Sequence, residues 1–411
     1  MSDESFAERI RRDFPVFGRE IGGRTIAFFD GPGGSQVPRQ VATAMAEYLT
    51  LHNANTHGHF ATSEETDDII AGARRAMADF VGGAPDEIVF GANMTTLAFH
   101  LSRTLGRAWG PGDEVIVTAL DHQANVAPWR RMAADAGMEV RVVPFDPATL
   151  ELDYDALASL LSPRTRLLAI GAASNALGTV NDVRRAAEMA RAAGALTFVD
   201  AVHFAPHRRV DVAEMGCDFL ACSAYKFFGP HAGVLWGRRE LLERFEPYKV
   251  PPASNAVPER WETGTQNHEA MAGTAAAVDW IASIAGDGAP DRREALRRAF
   301  AAMEAHESAL FRTLEDGLRA IPGVRLHGVA QGRPRTPTAG FTVDGTPPDE
   351  VARRLSREGV FVWNGDFYAT TVCDTLGLSD CGGLVRAGVA PYTTGDDVRR
   401  LLAGIAEIAS D

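Results

Sequence analysis

Short apolar segments that alternate with helical stretches are the feature of this sequence that most restricts its fold. Seven segments read as strands, because each is rich in apolar and β-branched residues. They are Glu87–Phe90, Glu114–Thr118, Val140–Val143, Leu167–Gly171, Leu196–Asp200, Phe219–Ser223 and Gly233–Trp236. Helices are predicted between them, near Thr95–Gly106, Trp129–Ala136, Tyr154–Leu161 and Val183–Ala193. This alternation predicts an α/β fold whose mostly parallel sheet is covered by helices on both faces.

The composition of the sequence changes after about Ala285, where a polar, turn-rich segment begins. It then predicts a long amphipathic helix and a smaller α/β arrangement, with elements at Arg292–Ala320, Thr338–Val343, Asp349–Glu358 and Asp396–Ala409. A chain of 411 residues exceeds one ordinary hydrophobic core. We therefore predict an N-terminal arm (residues 1–20), a large domain (21–285) and a smaller C-terminal α/β domain (286–411).

Charge and composition exclude several classes of function. The formal net charge of −13 argues against nucleic acid or an anionic membrane as the main partner. The sequence contains no apolar run of membrane-spanning length, and MSDESFAERIRRDF lacks the apolar core of a signal peptide, so we expect a cytoplasmic protein. The spacing of the four cysteines fits neither a zinc site nor a disulfide framework, and no metal is expected.

Polar residues follow four of the predicted strands. Asp200 ends one strand, and Ser223, Tyr225 and Lys226 follow the next. Asn175 comes after a third strand, and Asp121 and His122 come after a fourth. Because ligands of open α/β sheets bind beyond the carboxyl ends of the strands, we expect these side chains to form one site.

Lys226 lies among aromatic residues, in the segment SAYKFFGPH. An ammonium group that is removed from water has a lowered pKa and becomes a nucleophilic amine. The alternative is a surface lysine whose stem lies along apolar side chains. The position after a strand, with polar companions, favours the reactive amine.

Three further patterns have both a functional and a structural interpretation. Asp200, after a buried strand, needs a cationic partner such as a protonated pyridine nitrogen, or it caps a helix. The GANMTT segment joins a strand to a helix and forms either an anion site or an ordinary cap. His122 either stacks on a flat ring and moves protons, or is a hydrogen-bonded structural histidine.

Eight motifs occur in order between about Phe28 and Leu402: FFDGPGGSQVP, GANMTT, GDEVIVTALDHQANVAPW, SNALGTVNDV, FVDAVHFAPH, DFLACSAYKFFGPHAGVLWG, RWETGTQN and LVRAGVAPYTT. In these motifs the chain resembles the class V aminotransferase family of fold-type I pyridoxal-phosphate enzymes. Within it, the chain is most similar to the cysteine desulfurase and selenocysteine lyase branch. The resemblance implies a fold-type I transferase fold, pyridoxal 5'-phosphate as cofactor, a small amino-acid substrate and a homodimer with shared active sites.

The resemblance also implies a role for individual residues. Lys226 would carry the cofactor as a Schiff base, Asp200 would pair with its pyridine nitrogen, and His122 would stack on its ring and assist proton transfer. The residues implied to line the phosphate are Thr95, Thr96, Ser223 and Tyr225, with Thr265 reaching the phosphate of the neighbouring subunit. His203 stands where relatives have a glutamine that contacts the cofactor hydroxyl.

Two residues are implied for the substrate, and the chain departs from its relatives near them. Arg386 would bind the substrate carboxylate bidentately, with Asn175 close to both cofactor and substrate. Tyr368 stands where the sulfur-accepting cysteine of desulfurases is expected, and Trp363 stands in place of a substrate-binding arginine. Cys373 lies five residues further on, and it is either a mobile nucleophile or an ordinary buried thiol.

This departure leaves several reactions open. We expect C–S or C–Se lyase chemistry on a cysteine-like substrate, with an aminotransferase or an epimerase as alternatives. A catalytically silent binding protein is a further alternative. The joint retention of Lys226, Asp200, His122 and Arg386 argues against it.

Overall fold

The computed structural model describes residues 5–411, so the first four residues of the predicted N-terminal arm lie outside the described part. The helices are α1 (Phe6–Arg11), α2 (Arg39–Glu47), α3 (Ala61–Val81), α4 (Met94–Gly106), α5 (Ala127–Ala136), α6 (Tyr154–Leu160), α7 (Val183–Ala192), α8 (Val212–Met215), α9 (Arg239–Arg244), α10 (His268–Ser283), α11 (Arg292–Ala320), α12 (Pro348–Arg357), α13 (Thr370–Thr375) and α14 (Gly395–Ser410). The strands are β1 (Glu20–Ile21), β2 (Arg24–Thr25), β3 (Ala27–Phe28), β4 (Ile88–Gly91), β5 (Glu114–Thr118), β6 (Glu139–Val143), β7 (Thr165–Gly171), β8 (Leu196–Asp200), β9 (Phe219–Ser223), β10 (Gly233–Gly237), β11 (Val324–His327), β12 (Thr338–Val343), β13 (Val360–Phe361), β14 (Trp363–Gly365) and β15 (Leu384–Gly388).

The central sheet has the strand order β4-β10-β9-β8-β7-β5-β6. Neighbouring strands from β9 to β6 run parallel, whereas β10 pairs antiparallel with both β4 and β9. All five residues of β5 and of β9 are buried, as expected for strands that are covered on both faces. The predicted α/β fold with a mostly parallel sheet is confirmed.

A second, antiparallel sheet lies in the C-terminal part and has the order β11-β12-β15-β14. An N-terminal segment joins this part, because β3 pairs in parallel with β13. Phe29 packs in one apolar cluster with Phe311, Phe341 and Leu401. The boundaries proposed at residues 20 and 285 stay a prediction, and this packing associates residues 27–29 with the C-terminal core.

The structure contains helices that the sequence pattern did not predict, among them α2, α3 and α10. The helix α10 packs against both α2 and α3, and it also contacts α11. Within residues 5–411, no helix is both long and apolar enough to cross a membrane.

The topology positions one edge of the central sheet for ligand binding. The parallel strands β5, β7, β8 and β9 end at the same edge, and α4 begins at Met94 beside it. Because β5, β7, β8 and β9 are neighbours, the side chains that follow them converge.

Candidate active site

A cavity of about 1020 Å³ lies at this edge of the sheet, and segment 363–368 and Arg386 of the C-terminal part close one side of it. It brings together twelve of the thirteen predicted site residues: Thr95, Thr96, His122, Asn175, Asp200, His203, Ser223, Tyr225, Lys226, Trp363, Tyr368 and Arg386. Thr265 lies outside it, in an exposed loop that borders two other cavities. This position does not test its predicted contact with a neighbouring subunit.

Lys226 ends a short turn that follows β9, and its side chain extends into the cavity. Its Nζ donates hydrogen bonds to the carbonyl oxygen of Pro32 and, at 3.0 Å, to that of Gly33. Burial and the positive charge of Arg386 lower the pKa of Lys226 to about 7. The amine is therefore partly neutral near neutral pH, which is the form that can act as a nucleophile or a base.

Asp200 is the last residue of β8 and is buried. Its Oδ1 accepts a hydrogen bond from the backbone N–H of Val202 at 2.9 Å, and it caps none of the described helices. Burial raises the pKa of Asp200 to about 6, and no ion pair to it occurs within residues 5–411. A buried carboxyl with this environment would be stabilised by a cationic ligand atom.

The N-terminus of α4 supplies hydroxyl groups to the cavity wall. Asn93 caps the helix, and its Oδ1 accepts from the N–H of Thr96 at 2.9 Å and from its hydroxyl at 3.0 Å. Ser223 Oγ accepts from the N–H of Met94 at 3.1 Å, which ties β9 to the same helix. Thr95 and Thr96 are exposed and line the cavity. A helix N-terminus with hydroxyl groups suits a phosphate.

Two aromatic side chains that line the cavity have fixed neighbours. The Nδ1 atom of His122 accepts from the N–H of Ala124 at 2.9 Å, and burial lowers the pKa of His122 to about 4. Its ring is therefore neutral near neutral pH. The ring of Tyr225 stacks on His231 with centroids 5.1 Å apart.

Three buried polar atoms of the cavity-lining side chains have no hydrogen-bond partner in the described chain: His203 Nδ1, Asn175 Oδ1 and Arg386 Nε. The other groups of these side chains are held in place. His203 Nε2 lies 3.1 Å from the hydroxyls of Thr336 and Thr338, and Asn175 Nδ2 donates to the carbonyl of Phe367 at 2.9 Å. Because unpartnered buried polar atoms are costly, their concentration here indicates a polar ligand.

Arg386, on β15, is a buried cation of the cavity wall. Its Nη1 donates to the carbonyl oxygen of Asn175 at 3.0 Å, and its Cζ lies 4.0 Å from the ring centroid of Phe367. Burial lowers the pKa of Arg386 to about 9, and among the described residues it has no ion-pair partner. The guanidinium is thus available to a carboxylate of a ligand.

The four cysteines, all within the described part of the chain, lie outside the cavity wall. Cys373 is buried in α13, and burial raises its pKa to about 11. Cys217 and Cys222 are buried as well, whereas Cys381 is exposed. The interpretation of Cys373 as a buried structural thiol agrees with these properties better than that of a mobile nucleophile.

Sequence reasoning missed some of the groups that shape the site. It assigned no role to the carbonyl groups of Pro32 and Gly33, although the glycine-rich FFDGPGG segment could have drawn attention to a close backbone approach. It noted Asp121 after a strand but gave it no role. This carboxyl accepts from the N–H of Gly171 at 2.8 Å and from Asn125 at 2.7 Å, and burial and the nearby Asp200 raise its pKa to about 7.

The amine, the buried acid, the helix N-terminus and the orphaned polar atoms together fit pyridoxal phosphate, and they define a fold-type I pyridoxal-phosphate enzyme. The family model of class V aminotransferases matches residues 27–401. The chain belongs to the class V aminotransferase family, whose members depend on pyridoxal phosphate.

Relatives with known names agree with this assignment. The chain is 31% identical over 417 residues to a cysteine desulfurase of Pectobacterium carotovorum, covering 98% of this chain and 97% of the relative. It is 34% identical over 420 residues to a probable cysteine desulfurase of Halobacterium salinarum, covering 97% and 96%. Among solved structures, an apo cysteine desulfurase of Thermococcus onnurineus superposes with a TM-score of 0.89 at 27% identity over all of both chains. A cysteine desulfurase of Escherichia coli has a TM-score of 0.85 at 27% identity over 98% of both chains.

Proposed function

We propose that this protein is a pyridoxal-phosphate-dependent lyase that cleaves the C–S or C–Se bond of a cysteine-like amino acid. Its similarity to cysteine desulfurases over nearly the whole chain supports a sulfur amino acid as substrate. One observation favours release of the sulfur fragment over its transfer to a cysteine of the chain. Tyr368 lines the cavity, and the four cysteines of the described chain do not.

We assign the binding of the cofactor to residues of the cavity wall. Lys226 would hold it covalently, Asp200 would pair with its ring nitrogen, and Thr95, Thr96, Ser223 and Tyr225 would face its phosphate. The unpartnered Nδ1 of His203 would contact its hydroxyl, and the neutral ring of His122 would lie against its ring. When bound, pyridoxal phosphate supplies the electron sink that makes the α-proton of an amino acid acidic.

Arg386 and Lys226 would act on the substrate itself. The free Nε edge of Arg386 suits the substrate carboxylate, since Nη1 is already occupied by the carbonyl of Asn175. Lys226 Nζ, whose pKa is about 7, would remove the α-proton as general base near neutral pH. The backbone carbonyls of Pro32 and Gly33 would then accept hydrogen bonds from the protonated amine.

The products of such a lyase follow from the balance of atoms and electrons. The Cα–H and Cβ–S bonds break, and the electron pair of the Cβ–S bond leaves with the sulfur, which takes up a proton. Addition of water to the remaining carbon skeleton gives pyruvate and ammonium. The overall reaction is redox-neutral, so it needs no external oxidant or reductant. It also needs no thiol acceptor, because the sulfur leaves as sulfide.

Desulfuration is a second candidate, because the relatives are named for it. It would yield alanine and place the sulfur on an acceptor thiol, which in this chain would have to be a cysteine outside the cavity wall. Product analysis after incubation with L-cysteine separates the two reactions. Pyruvate, ammonium and sulfide in equal amounts support the lyase, whereas alanine without pyruvate contradicts it. Formation of a keto acid without sulfide would indicate transamination, and formation of D-cysteine would indicate epimerisation.

Substitution of single cysteines tests the fate of the sulfur. Sulfide release should survive Cys373→Ser, because this thiol is buried and has a raised pKa. Cys381→Ser is the companion test, since this exposed thiol is the more accessible of the two as a sulfur acceptor. Loss of sulfide release in either folded variant would favour transfer to that cysteine.

Borohydride reduction and peptide mapping test the assignment of the cofactor. They should place the pyridoxyl group on Lys226, and an unmodified Lys226 peptide would contradict the cofactor assignment.

We also propose a homodimer in which each subunit completes the site of the other. Thr265 lies outside the cavity of its own chain, in an exposed loop. Leu49, Leu51 and Phe60 are exposed apolar side chains, and a second subunit would remove them from water.

A further inference from the structure

Three aromatic residues form one wall of the cavity: Trp363, Phe367 and Tyr368, called here the aromatic wall. Trp363 is 49% exposed and Tyr368 is 69% exposed, which is unusual for large aromatic side chains that border a cavity. Exposed aromatic surface beside a cavity is typical of a ligand-binding surface. The wall therefore has apolar area that no described part of the same subunit covers.

The backbone of the aromatic wall is fixed, although two of its rings are exposed. Phe367 and Tyr368 have φ angles of +56° and +57°. This left-handed backbone conformation is unfavourable for residues other than glycine. Tyr368 is held on both sides, because its carbonyl accepts from the N–H of Gln123 at 2.8 Å and its own N–H donates to Asp366 at 2.8 Å. The neighbouring carbonyl of Phe367 accepts from Asn175 at 2.9 Å. Such anchoring fixes the backbone from which the rings border the cavity.

The wall lies directly beside the proposed carboxylate site. The ring of Phe367 stacks on the guanidinium of Arg386, and Trp363 is the antiparallel partner of Arg386 in the sheet. A substrate whose carboxylate binds Arg386 would therefore have the rest of its atoms close to these rings. The exposed carboxylate of Asp366 lies at the same place, so an anionic substituent would be repelled.

We propose that the substrate is an S-substituted cysteine whose neutral, apolar sulfur substituent packs on the aromatic wall, with an aromatic substituent preferred. This inference rests on the proposed lyase function. The reaction is R–S–CH2–CH(NH3⁺)–COO⁻ + H2O → R–SH + CH3–CO–COO⁻ + NH4⁺. The Cβ–S bond breaks, its electron pair remains on the thiol R–SH, and the reaction is redox-neutral. Free cysteine would leave the wall uncovered.

The first experiment measures kcat/KM for pyruvate formation with S-benzyl-, S-ethyl- and S-carboxymethyl-L-cysteine and with L-cysteine. We expect S-benzylcysteine to exceed L-cysteine by at least about tenfold, because a tenfold preference needs only modest additional apolar contact. The anionic S-carboxymethyl compound should fall below its neutral S-ethyl counterpart. Pyruvate formation that is fastest with L-cysteine would overturn the inference and leave the lyase intact.

A second experiment separates binding from turnover. Tyr368→Ala and Trp363→Ala should each reduce the preference for S-benzylcysteine over S-ethylcysteine, whereas Tyr248→Ala, an exposed tyrosine outside the cavity wall, should leave that ratio unchanged. Equal loss with both substrates would assign the wall a structural role and contradict the inference. Calorimetric binding of both compounds to Lys226→Ala tests the wall even if pyruvate never forms. In that case tighter binding of S-benzylcysteine would support the wall while the lyase fails, and equal binding would overturn both.

Discussion

At the scale of single residues, the site consists of groups that are expensive to bury. Lys226, Asp200 and Arg386 have pKa values displaced from their ordinary ranges, and in each case burial is the main cause. Burial of these three charged groups therefore opposes folding. A ligand that supplies partners for them would offset part of this free-energy cost.

The displaced pKa of Lys226 predicts how stability depends on pH in the cofactor-free protein. Its pKa falls from 10.5 to about 7 on folding, so between these values the unfolded chain binds more protons than the folded one. The free energy of unfolding should therefore rise with pH across this interval, by about 1.4 kcal/mol per pH unit at most. Lys226→Met should be more stable than the parent chain near pH 7, and this advantage should shrink by pH 10. Urea unfolding at several pH values measures the difference, and a constant advantage would contradict the prediction.

The close approach of Gly33 to Trp363 leads to a prediction about two substitutions. A Cβ at position 33 would overlap the indole ring of Trp363. The carbonyl oxygen of Gly33 accepts a hydrogen bond from Lys226. Gly33→Ala should therefore weaken pyridoxal-phosphate binding, and Trp363→Ala should restore part of it. Gly18→Ala, which adds a Cβ in open space, is the control. Cofactor dissociation constants from absorbance titration test this, and the absence of any restoration would contradict it.

At the scale of secondary structure elements, α4 links helix stability to anion binding. Its N-cap residue Asn93 holds both the N–H and the hydroxyl of Thr96.

Strands such as β5 and helices such as α4 and α11 could be predicted from the sequence, because they have strong local patterns. The helices α2, α3 and α10 were missed. In α10, HEAMAGTAAAVDWIAS lacks a clear polar face, since it packs against α2, α3 and α11.

Substitution of the cap should affect both properties of α4. Asn93→Ala should lower the free energy of unfolding by about 1 kcal/mol and weaken cofactor binding, because Thr96 loses its positioning partner. Asn93→Ser, which keeps an acceptor at the cap, should retain most of the stability. Denaturant unfolding and cofactor titration of both variants measure these effects. Unchanged cofactor affinity in a destabilised Asn93→Ala protein would separate the cap from the anion site.

At the scale of the whole molecule, the proposed homodimer predicts that Thr265 of each subunit contributes to the active site of the other. Lys226→Ala and Thr265→Ala homodimers should each have low activity. Mixed dimers should regain it, because one of their two sites then contains both native residues. The test dissociates and reassociates the two variants together and compares their activity with that of each variant treated alone. Recovery that never exceeds the average of the separate variants would place Thr265 outside the shared site.

The sequence by itself determined the alternation of strands and helices, because this depends on local patterns. The same patterns placed Lys226 and Asp200 at or after strand ends, whereas Arg386 was implied only by the resemblance of its LVRAG motif. The tertiary structure decided what depends on distant segments. It brought Pro32 and Gly33 to Lys226, attached β3 to β13, and placed the Trp363–Tyr368 segment over His122 and beside Arg386. Apart from the contact with Arg386, these contacts join residues about 190 or more positions apart. A local pattern contains no information about which segment will lie across a cavity. The burial of Cys373, and with it the argument for release of sulfur, follows from the same packing.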